Sequence, residues 1–266
     1  MTGTATPTSA AEVQPLLRAR GIAKHFGAVA AASDISLDVP AGQRLSVIGS
    51  NGAGKTTFVN MVTGYLRPDA GQFFLDGQDI THLSHLQIAR LGICRSFQIP
   101  QLFLDLTLRE NLLVAAAATQ TRVPMWGAAD ARARRERADE LLQRFALGDD
   151  ADRPVAELAG GMRKLVDIAM ALARKPRLLL LDEPTSGVSA EEKFPVMHRV
   201  MEALRGEAAT VVFIEHDMDI VAEFSERVLA FYSGRVIADG PPATVLADPD
   251  VQRHVSGHVV RPGRST

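Results

Sequence analysis

A glycine-rich segment carries the strongest chemical signal in the chain. Residues 49–56 read G-S-N-G-A-G-K-T and satisfy the pattern G-x-x-x-x-G-K-[ST], whose glycines let backbone N–H groups turn toward phosphate oxygens. In that pattern the lysine, Lys55, reaches the β- and γ-phosphates of a nucleotide, and the hydroxyl of Thr56 can bind Mg²⁺. The alternative is an ordinary glycine-rich turn. The residues predicted to bind the nucleotide are Gly49, Ser50, Asn51, Gly52, Ala53, Gly54, Lys55, Thr56 and Thr57.

Two acids follow an apolar segment later in the chain. Residues 178–181 are predicted to form a buried strand, and Asp182 and Glu183 come directly after it. Ligands bind at the C-terminal ends of the strands in open α/β sheets, so both carboxylates would lie at a ligand-binding edge. Asp182 is predicted to hold Mg²⁺, and Glu183 to act as the general base on the attacking water. Alternatively, the two acids only cap the next turn.

A histidine also follows an apolar segment. Residues 211–214 are predicted to form a buried strand, and His216 comes shortly after it. It would therefore lie at the same edge of the sheet as the two acids, where an imidazole can hydrogen-bond the γ-phosphate. Taken alone, a single histidine is more often a structural or surface residue.

Strands that alternate with helices position these side chains. A strand predicted at residues 44–48 precedes the glycine-rich segment, and helical spacing follows at residues 58–66. The strand before the two acids is flanked by helices predicted at residues 162–174 and 190–204, and another helix is predicted after His216. This alternation argues for an α/β fold with a parallel sheet.

Other segments lie outside this alternation. Residues 32–39 alternate between apolar and polar like a half-buried strand, and tight turns are predicted at Asp76-Gly77 and Ser233-Gly234. Residues 108–147 are rich in Ala, Leu, Arg and Glu, which favours a separate helical lobe. The first fifteen residues are mostly small and are predicted to form a flexible tail.

Composition excludes several classes of protein. With 266 residues, 46% of them hydrophobic, the chain can bury a large core and is neither a disulfide-stapled miniprotein nor disordered. The 29 Lys+Arg nearly balance 31 Asp+Glu, which argues against the strongly basic face of a nucleic-acid-binding protein. The longest purely apolar run, residues 112–118, is far shorter than the roughly 18 to 20 residues that span a bilayer. The lack of a secretory-type start and the single cysteine, Cys94, favour a cytoplasmic location.

The order of these pieces resembles that of the ATP-binding cassette (ABC) ATPases. After the glycine-rich segment come Gln98 behind an apolar run, L-A-G-G at residues 158–161, L-L-L-L-D-E-P, and the histidine behind a further strand. The resemblance implies ATP and Mg²⁺ as cofactors. It also implies a P-loop ATPase core with an N-terminal antiparallel β subdomain and an inserted α-helical subdomain. The expected single domain covers residues 16–255, with the helical subdomain at about 99–165 and a second tail at 256–266.

The resemblance also implies roles for residues outside the glycine-rich segment. Gln98 would act at Mg²⁺ and the attacking water, and the ring of Phe26 would stack on adenine, for which core packing is the alternative. Ala159, Gly160 and Gly161 would complete the ATP site of a second subunit, so that a head-to-tail dimer encloses two ATP molecules. A glycine pair that opens a helix suits this role, because its N–H groups and the helix N-terminus form an anion site.

Longer stretches resemble a narrower group. Residues 96–115, 214–218 and 239–251 are similar to the ATPase subunits of importers for branched-chain and other hydrophobic amino acids. The implied function is ATP hydrolysis that energises the uptake of such amino acids or of related small organic acids. The implied partners are a second ABC ATPase subunit, identical or different, membrane-spanning permease subunits and, indirectly, a substrate-binding protein. They would hold the chain at the inner face of the cell membrane.

Three departures from the family pattern stand beside this resemblance. Ala159 and Met162 replace the Ser and Gln of the usual L-S-G-G-Q, Ser189 replaces a common Asp, and the last residues lack the Tyr-Leu-Gly frequent in amino acid importers.

The alternatives to an importer subunit are the ATPase of an exporter such as a lipopolysaccharide-type system, a regulatory module with little turnover, and a soluble ABC ATPase that acts on nucleic acid or ribosomes. Retention of Asp182 and Glu183 argues against the regulatory module.

Overall fold

A computed structural model describes residues 14–118 and 128–256 of the chain. In these residues the strands are β1 (Leu17–Phe26), β2 (Val29–Val39), β3 (Arg44–Gly49), β4 (Ala70–Leu75), β5 (Gln78–Asp79), β6 (Ile93–Ser96), β7 (Leu178–Asp182), β8 (Thr210–Ile214), β9 (Arg227–Tyr232) and β10 (Arg235–Gly240). The α-helices are α1 (Lys55–Val62), α2 (His85–Arg90), α3 (Leu108–Ala117), α4 (Ala128–Arg144), α5 (Gly160–Ala173), α6 (Lys193–Leu204), α7 (Met218–Phe224), α8 (Pro242–Ala247) and α9 (Pro249–Val251).

The central sheet has the order β10-β9-β3-β8-β7-β6. The five strands β9, β3, β8, β7 and β6 are parallel to one another. Strand β10 pairs antiparallel with β9. Strands β7 and β8 are buried along their whole length, as expected for parallel strands covered on both faces. The predicted α/β fold is confirmed. Because β3, β8 and β7 are adjacent and parallel, the segments that follow them meet at one edge of the sheet.

A second sheet is antiparallel and has the order β2-β1-β4-β5. Its β4–β5 hairpin turns at Asp76 and Gly77, with φ angles of 51° and 78°. The β9–β10 hairpin of the central sheet turns at Ser233 and Gly234, with φ angles of 46° and 76°. Positive φ at both central residues is what a two-residue type I′ turn requires, so both predicted turns are present.

The helices between β6 and β7 share their core with the central sheet. Helix α3 begins with a capping box, in which Glu110 N–H donates to Thr107 Oγ1 and the Glu110 carboxylate accepts from Thr107 N–H. One buried apolar cluster contains Leu112 of α3 and Phe145, which follows α4, together with Phe213 of β8. Residues 119–127, between α3 and α4, lie outside the described residues. The predicted helical lobe is therefore helical, but its packing is continuous with the sheet.

Some element boundaries differ from the predictions. Helix α1 begins at Lys55 rather than residue 58, and the chain leaves it before Gly64, where φ is 72°. Helix α6 begins at Lys193, three residues after the predicted start. The patterns did not predict β1, α2 or β6, although α2 has a capping box between Ser84 and Gln87.

The sequence also predicts a tail at each end of the chain and no segment long enough to span a membrane. Residues 1–13 and 257–266, which make up most of the two predicted tails, lie outside the described residues. None of the helices in residues 14–118 and 128–256 has both the length and the apolar character needed to cross a bilayer.

Candidate functional site

The glycine-rich loop after β3 is held between two neighbouring segments. Gly54 has a φ of 107°, and a Cβ atom there would lie 2.3 Å from the backbone oxygen of Ala31 in β2. At Gly49 a Cβ atom would lie 2.6 Å from a backbone oxygen of β9. Both positions therefore require glycine. The N–H of Gly234 donates to the Ala53 oxygen at 2.9 Å and fixes the loop against the β9–β10 turn.

Lys55 is the first residue of α1 and lies across this loop. Its side chain is buried, and Nζ donates to the backbone oxygens of Gly49 at 2.6 Å and of Ser50 at 3.0 Å. Burial lowers the pKa of the Lys55 ammonium, while the carboxylates of Glu183 and Asp182 act in the opposite direction. The ammonium thus lies against the loop and within the field of both predicted acids.

The outer surface of the loop is accessible, whereas α1 is anchored beneath it. The predicted nucleotide contacts that are exposed or half-buried are Ser50, Asn51, Gly52, Thr56 and Thr57. Phe58 of α1 packs with its ring centroid 5.8 Å from that of Phe73 and 5.7 Å from that of Phe231. This packing fixes the N-terminal turn of α1 at the end of β3.

Asp182, the last residue of β7, is buried and paired with a cation that the sequence patterns did not reveal. Its carboxylate accepts a short hydrogen bond from Arg95 Nη2 of β6. Arg95 Nη1 donates to Asn60 Oδ1 of α1 at 2.6 Å, and the guanidinium carbon lies 5.1 Å from the ring centroid of Phe97. Arg95 therefore joins the ends of β6 and β7 to the helix behind the loop.

Glu183 is held between the other two predicted catalytic residues. Its Oε2 accepts from Gln98 Nε2 at 2.6 Å, and its Oε1 lies 2.9 Å from His216 Nε2. The φ of Glu183 is 48°, a left-handed conformation that is unfavourable for a residue with a Cβ atom. Such strain is typical of functional sites, where the surrounding structure maintains it. Gln98, Glu183 and His216 are thus assembled at the predicted edge of the sheet.

Phe26 ends β1 and has a side chain that is 53% exposed. The Lys24 ammonium lies 5.8 Å from its ring centroid and is ion-paired with Asp69 at 2.6 Å. The β1–β2 hairpin that carries the ring continues to Ala31, the residue that contacts Gly54. The exposure of the ring does not agree with the core-packing alternative.

Residues 159–161 lie at the start of α5. Ala159 is the N-cap residue, and Gly160 and Gly161 form the first turn. A Cβ atom on Gly160 would lie 3.5 Å from the Gly187 oxygen, in the loop that follows Glu183. The glycine pair is exposed or half-buried, so its N–H groups can meet a ligand from outside the chain.

Sequence reasoning missed further charged residues around these segments. They are Arg95, Lys164, Asp167 and Glu215. Glu215 is 3% exposed, and its Oε1 accepts from the Thr185 hydroxyl at 2.7 Å and from the Thr185 N–H at 3.1 Å. The sequence offered one signal, a charged residue within or next to an apolar segment. A charged residue in such a segment is expected to be buried, and a buried charge is seldom without a hydrogen-bond or ion-pair partner.

Comparison with known proteins agrees with this geometry. Residues 32–186 match the ABC transporter family. The high-affinity branched-chain amino acid transport ATP-binding protein LivG of Escherichia coli K12 is 34% identical over 252 residues, which cover 92% of this chain and 98% of LivG.

Solved structures give the same result. The ADP conformation of MJ1267, an ATP-binding cassette of an ABC transporter, superposes with a TM-score of 0.78 at 32% identity and covers 90% of this chain and 97% of that one. The cassette MJ0796, solved as a dimer bound to ADP and Pi in a post-hydrolysis state, has a TM-score of 0.72 at 26% identity, with coverage of 85% and 98%. The chain therefore belongs to the ABC transporter family, as an ATP-binding and ATP-hydrolysing cassette.

Proposed function

We propose that this cassette is the ATPase subunit of an amino acid importer and that the residues described above hydrolyse its ATP. The observation that carries the catalytic roles is the position of Glu183, which is bonded to both Gln98 and His216 at the C-terminal edge of the sheet. That edge adjoins the glycine-rich loop, whose backbone oxygens at Gly49 and Ser50 bind the Lys55 ammonium. We infer that this edge holds the reacting γ-phosphate.

The glycine-rich loop supplies the phosphate site. N–H groups of the loop and the positive end of α1 face the phosphates, and the Lys55 ammonium exchanges its two backbone oxygens for phosphate oxygens. Phe26 stacks on the adenine ring, since its exposed ring lies at the end of a hairpin that reaches the loop. The loop and Phe26 thus bind opposite ends of one nucleotide.

The site fits a magnesium ion that is shared with the nucleotide. The Thr56 hydroxyl, the Gln98 amide oxygen and the carboxylate of Asp182, whose Oδ2 is paired with Arg95, would hold the ion, since Mg²⁺ prefers oxygen ligands of this kind. Within the part of the chain that the structure describes, His, Cys, Asp and Glu form no group of three able to hold a metal, so phosphate oxygens and waters would have to complete the shell of this ion. When bound, Mg²⁺ neutralises charge on the β- and γ-phosphate oxygens.

Glu183 is the general base in this proposal. Its carboxylate accepts a proton from the attacking water, while the bonds from Gln98 and His216 fix the direction of its oxygens. His216 is 40% exposed, and in its doubly protonated form, which has an N–H on each ring nitrogen, it can hydrogen-bond the γ-phosphate while it contacts Glu183. These contacts align the water and the base before reaction.

A second cassette completes each ATP site. The first turn of the 14-residue helix α5 presents N–H groups of Gly160 and Gly161 to solvent, which suits a phosphate on another subunit. The dimeric state of the relative MJ0796 supports this arrangement. Ala159 has no side-chain oxygen, so backbone N–H groups alone would hold that phosphate here.

Changing Ala159 to Ser is expected to stabilise the chain and to leave turnover unchanged or raise it. Ala159 is the N-cap of α5, and a serine oxygen there can accept a free N–H of the first turn, which is worth about 1 kcal/mol. We expect Tm to rise by about 2–4 °C in differential scanning calorimetry.

Valine is the matched control at the same position, because it has no oxygen and is a poor N-cap residue. Ala159→Val is expected to show no rise in Tm. A large loss of ATPase activity in Ala159→Ser would contradict the role given to this turn.

We propose that the transported solutes are branched-chain or other hydrophobic amino acids, or related small organic acids. Similarity to LivG over 92% of the chain supports this class. The proposed assembly contains two cassettes, membrane-spanning permease subunits and, on the other side of the membrane, a substrate-binding protein. The permease holds the cassettes at the cytoplasmic face of the cell membrane.

An apolar surface beside Gln98 is the proposed permease contact. Its members are Tyr65, Leu86, Ile99, Phe103 and Leu104, whose side chains are between 48% and 74% exposed. The Tyr65 ring lies 6.1 Å from the ring of Phe97 and so adjoins the segment that carries Gln98. Several large apolar side chains exposed in neighbouring segments are typical of protein contacts. We propose residues 99–165, within a single domain at 16–255, as the helical subdomain that bears part of this surface.

Ile99→Asp is expected to weaken permease binding by about tenfold or more, because Ile99 is 74% exposed and directly follows Gln98 in the chain. The measurement is co-purification of the cassette with tagged permease subunits. Val29→Asp is the matched control, since Val29 is 65% exposed but lies on the β1–β2 hairpin. Equal losses for both variants would contradict the assigned surface.

The function is tested with the cassette purified together with its native permease in lipid. ATP hydrolysis is measured with the substrate-binding protein loaded with leucine, isoleucine, valine or an unrelated solute. Stimulation by a hydrophobic amino acid supports the proposal. Stimulation by no solute, with activity raised by RNA or ribosomes instead, would favour a soluble ABC ATPase.

A further inference from the structure

Two charged residues of α5 are buried against the Gln98 segment, which we define as residues 97–101. Lys164 is 1% exposed and Asp167 is 6% exposed. They are three residues apart, so they lie on the same face of the helix. Burying charge is costly unless hydrogen bonds compensate for the lost hydration. The proposed reaction involves neither residue directly, and their contacts must account for their position.

Lys164 uses its three hydrogen-bond donors on three backbone oxygens. Nζ donates to Phe97 at 2.7 Å, to Gln98 at 3.3 Å and to Asp182 at 3.0 Å. Burial lowers the pKa of this ammonium, and nearby carboxylates, first of them Asp167, act against that effect. One side chain thus connects α5 with the Gln98 segment and with the end of β7.

Asp167 accepts hydrogen bonds from backbone N–H groups of the same segment. Oδ2 accepts from Phe97 N–H at 3.1 Å, and Oδ1 accepts from Gln101 N–H at 3.3 Å. Burial raises the pKa of Asp167 to about 6, while the Gln101 N–H, the Lys164 charge and the Phe97 N–H favour its ionised form. Lys164 and Asp167 therefore contact both ends of the Gln98 segment.

We propose that Lys164 and Asp167 are positioning residues that bind the Gln98 segment to α5, so that Gln98 is kept in contact with Glu183. This inference rests on the proposed catalytic role of Gln98 and Glu183. The contacts also join Gln98 to the helix that begins at Gly160, because Lys164 lies on the second turn of α5. A displacement of α5 would accordingly move Gln98 relative to Glu183 unless β7 moved with it.

Amide hydrogen exchange in the nucleotide-free chain tests the contacts without any turnover. Asp167→Asn keeps the shape of the side chain but removes its charge and one of its two acceptor oxygens. We expect exchange at residues 97–101 to become about tenfold faster. Arg163→Met is the matched control, since Arg163 directly precedes Lys164 in α5 but donates to Val155 and Ala156 oxygens. In Arg163→Met, the amides of residues 97–101 should exchange at the wild-type rate.

Kinetics test the positioning role. Lys164→Met is expected to lower kcat about tenfold while KM for ATP stays within about threefold, because the phosphate loop is unaltered. Lys164→Arg keeps a buried cation and should recover part of kcat. In a Gln98→Ala background, Lys164→Met should cost less than about twofold, because Gln98 is no longer present to be positioned. Should Lys164→Met fail to fold, Asp167→Asn replaces it with the same expected results.

Two outcomes would overturn the inference. One is unchanged exchange at residues 97–101 in Asp167→Asn. The other is an equal loss of kcat from Lys164→Met in the wild-type and Gln98→Ala backgrounds, which is the result expected of a purely structural lysine. A wild-type chain without ATPase activity would instead reject the proposed function, so the two failures are distinguishable.

Discussion

Replacing Glu183 with Gln is expected to lower the rate of ATP hydrolysis by about 10²- to 10⁴-fold. Glutamine keeps the size of the side chain and can still bond Gln98 or His216, but its amide cannot take a proton from water. The phosphate loop and Lys55 are unchanged, so the affinity for ATP should stay within about threefold of the wild type. The measurements are phosphate release and ATP binding by calorimetry.

The same variant should accumulate the ATP-bound dimer. If hydrolysis opens the two cassettes, a chain that binds ATP without hydrolysing it stays closed, and size-exclusion chromatography with ATP should show twice the monomer mass. Glu202→Gln is the matched control, because Glu202 is an exposed acid of α6 that pairs with Arg205 at 2.9 Å. Wild-type turnover in Glu183→Gln would contradict the assignment of the general base.

Lys55→Ala is expected to weaken ATP binding about 10- to 150-fold, which corresponds to the roughly 1.5–3 kcal/mol of a hydrogen bond to a charged group. The buried ammonium already lies against two loop oxygens, so little reorganisation is needed before it meets a phosphate. ATP affinity is measured by calorimetry in the absence of turnover.

Two further variants separate the charge of Lys55 from its volume. Lys55→Met fills most of the same space without the ammonium and should bind ATP as weakly as Lys55→Ala. Arg132→Ala removes a cation that is 83% exposed on α4 and should have no effect on ATP affinity. ATP affinity of wild-type strength in Lys55→Met would show that the ammonium does not bind phosphate.

Much of the fold and of the site follows from local patterns. The alternation of buried strands with helices predicts the parallel sheet, and the parallel direction of β3, β8 and β7 brings the segments after them to one edge. Glycine at positions 49 and 54 is dictated by φ and by the close approach of neighbouring backbone. Local sequence could therefore indicate where Lys55, Asp182 and Glu183 lie.

Contacts between distant segments could not be predicted in this way. The pairing of Arg95 with Asp182 depends on β6 and β7 being neighbours, and β6 itself has only four residues. The bonds of Lys164 to the Gln98 segment depend on which face of α5 meets the sheet. The apolar pattern of α5 shows that a face is buried, but not which backbone groups lie opposite it. The left-handed φ of Glu183 likewise has no local sequence signal.

The most direct test of the account is ATP-driven uptake by the assembled transporter. Proteoliposomes that contain the permease and the cassette, with ATP on the cassette side and the substrate-binding protein on the other, are supplied with radiolabelled leucine. We expect accumulation of leucine with the wild-type cassette and none with Glu183→Gln. Equal accumulation with both cassettes, or ATP hydrolysis without any transport of leucine or another hydrophobic amino acid, would contradict the account.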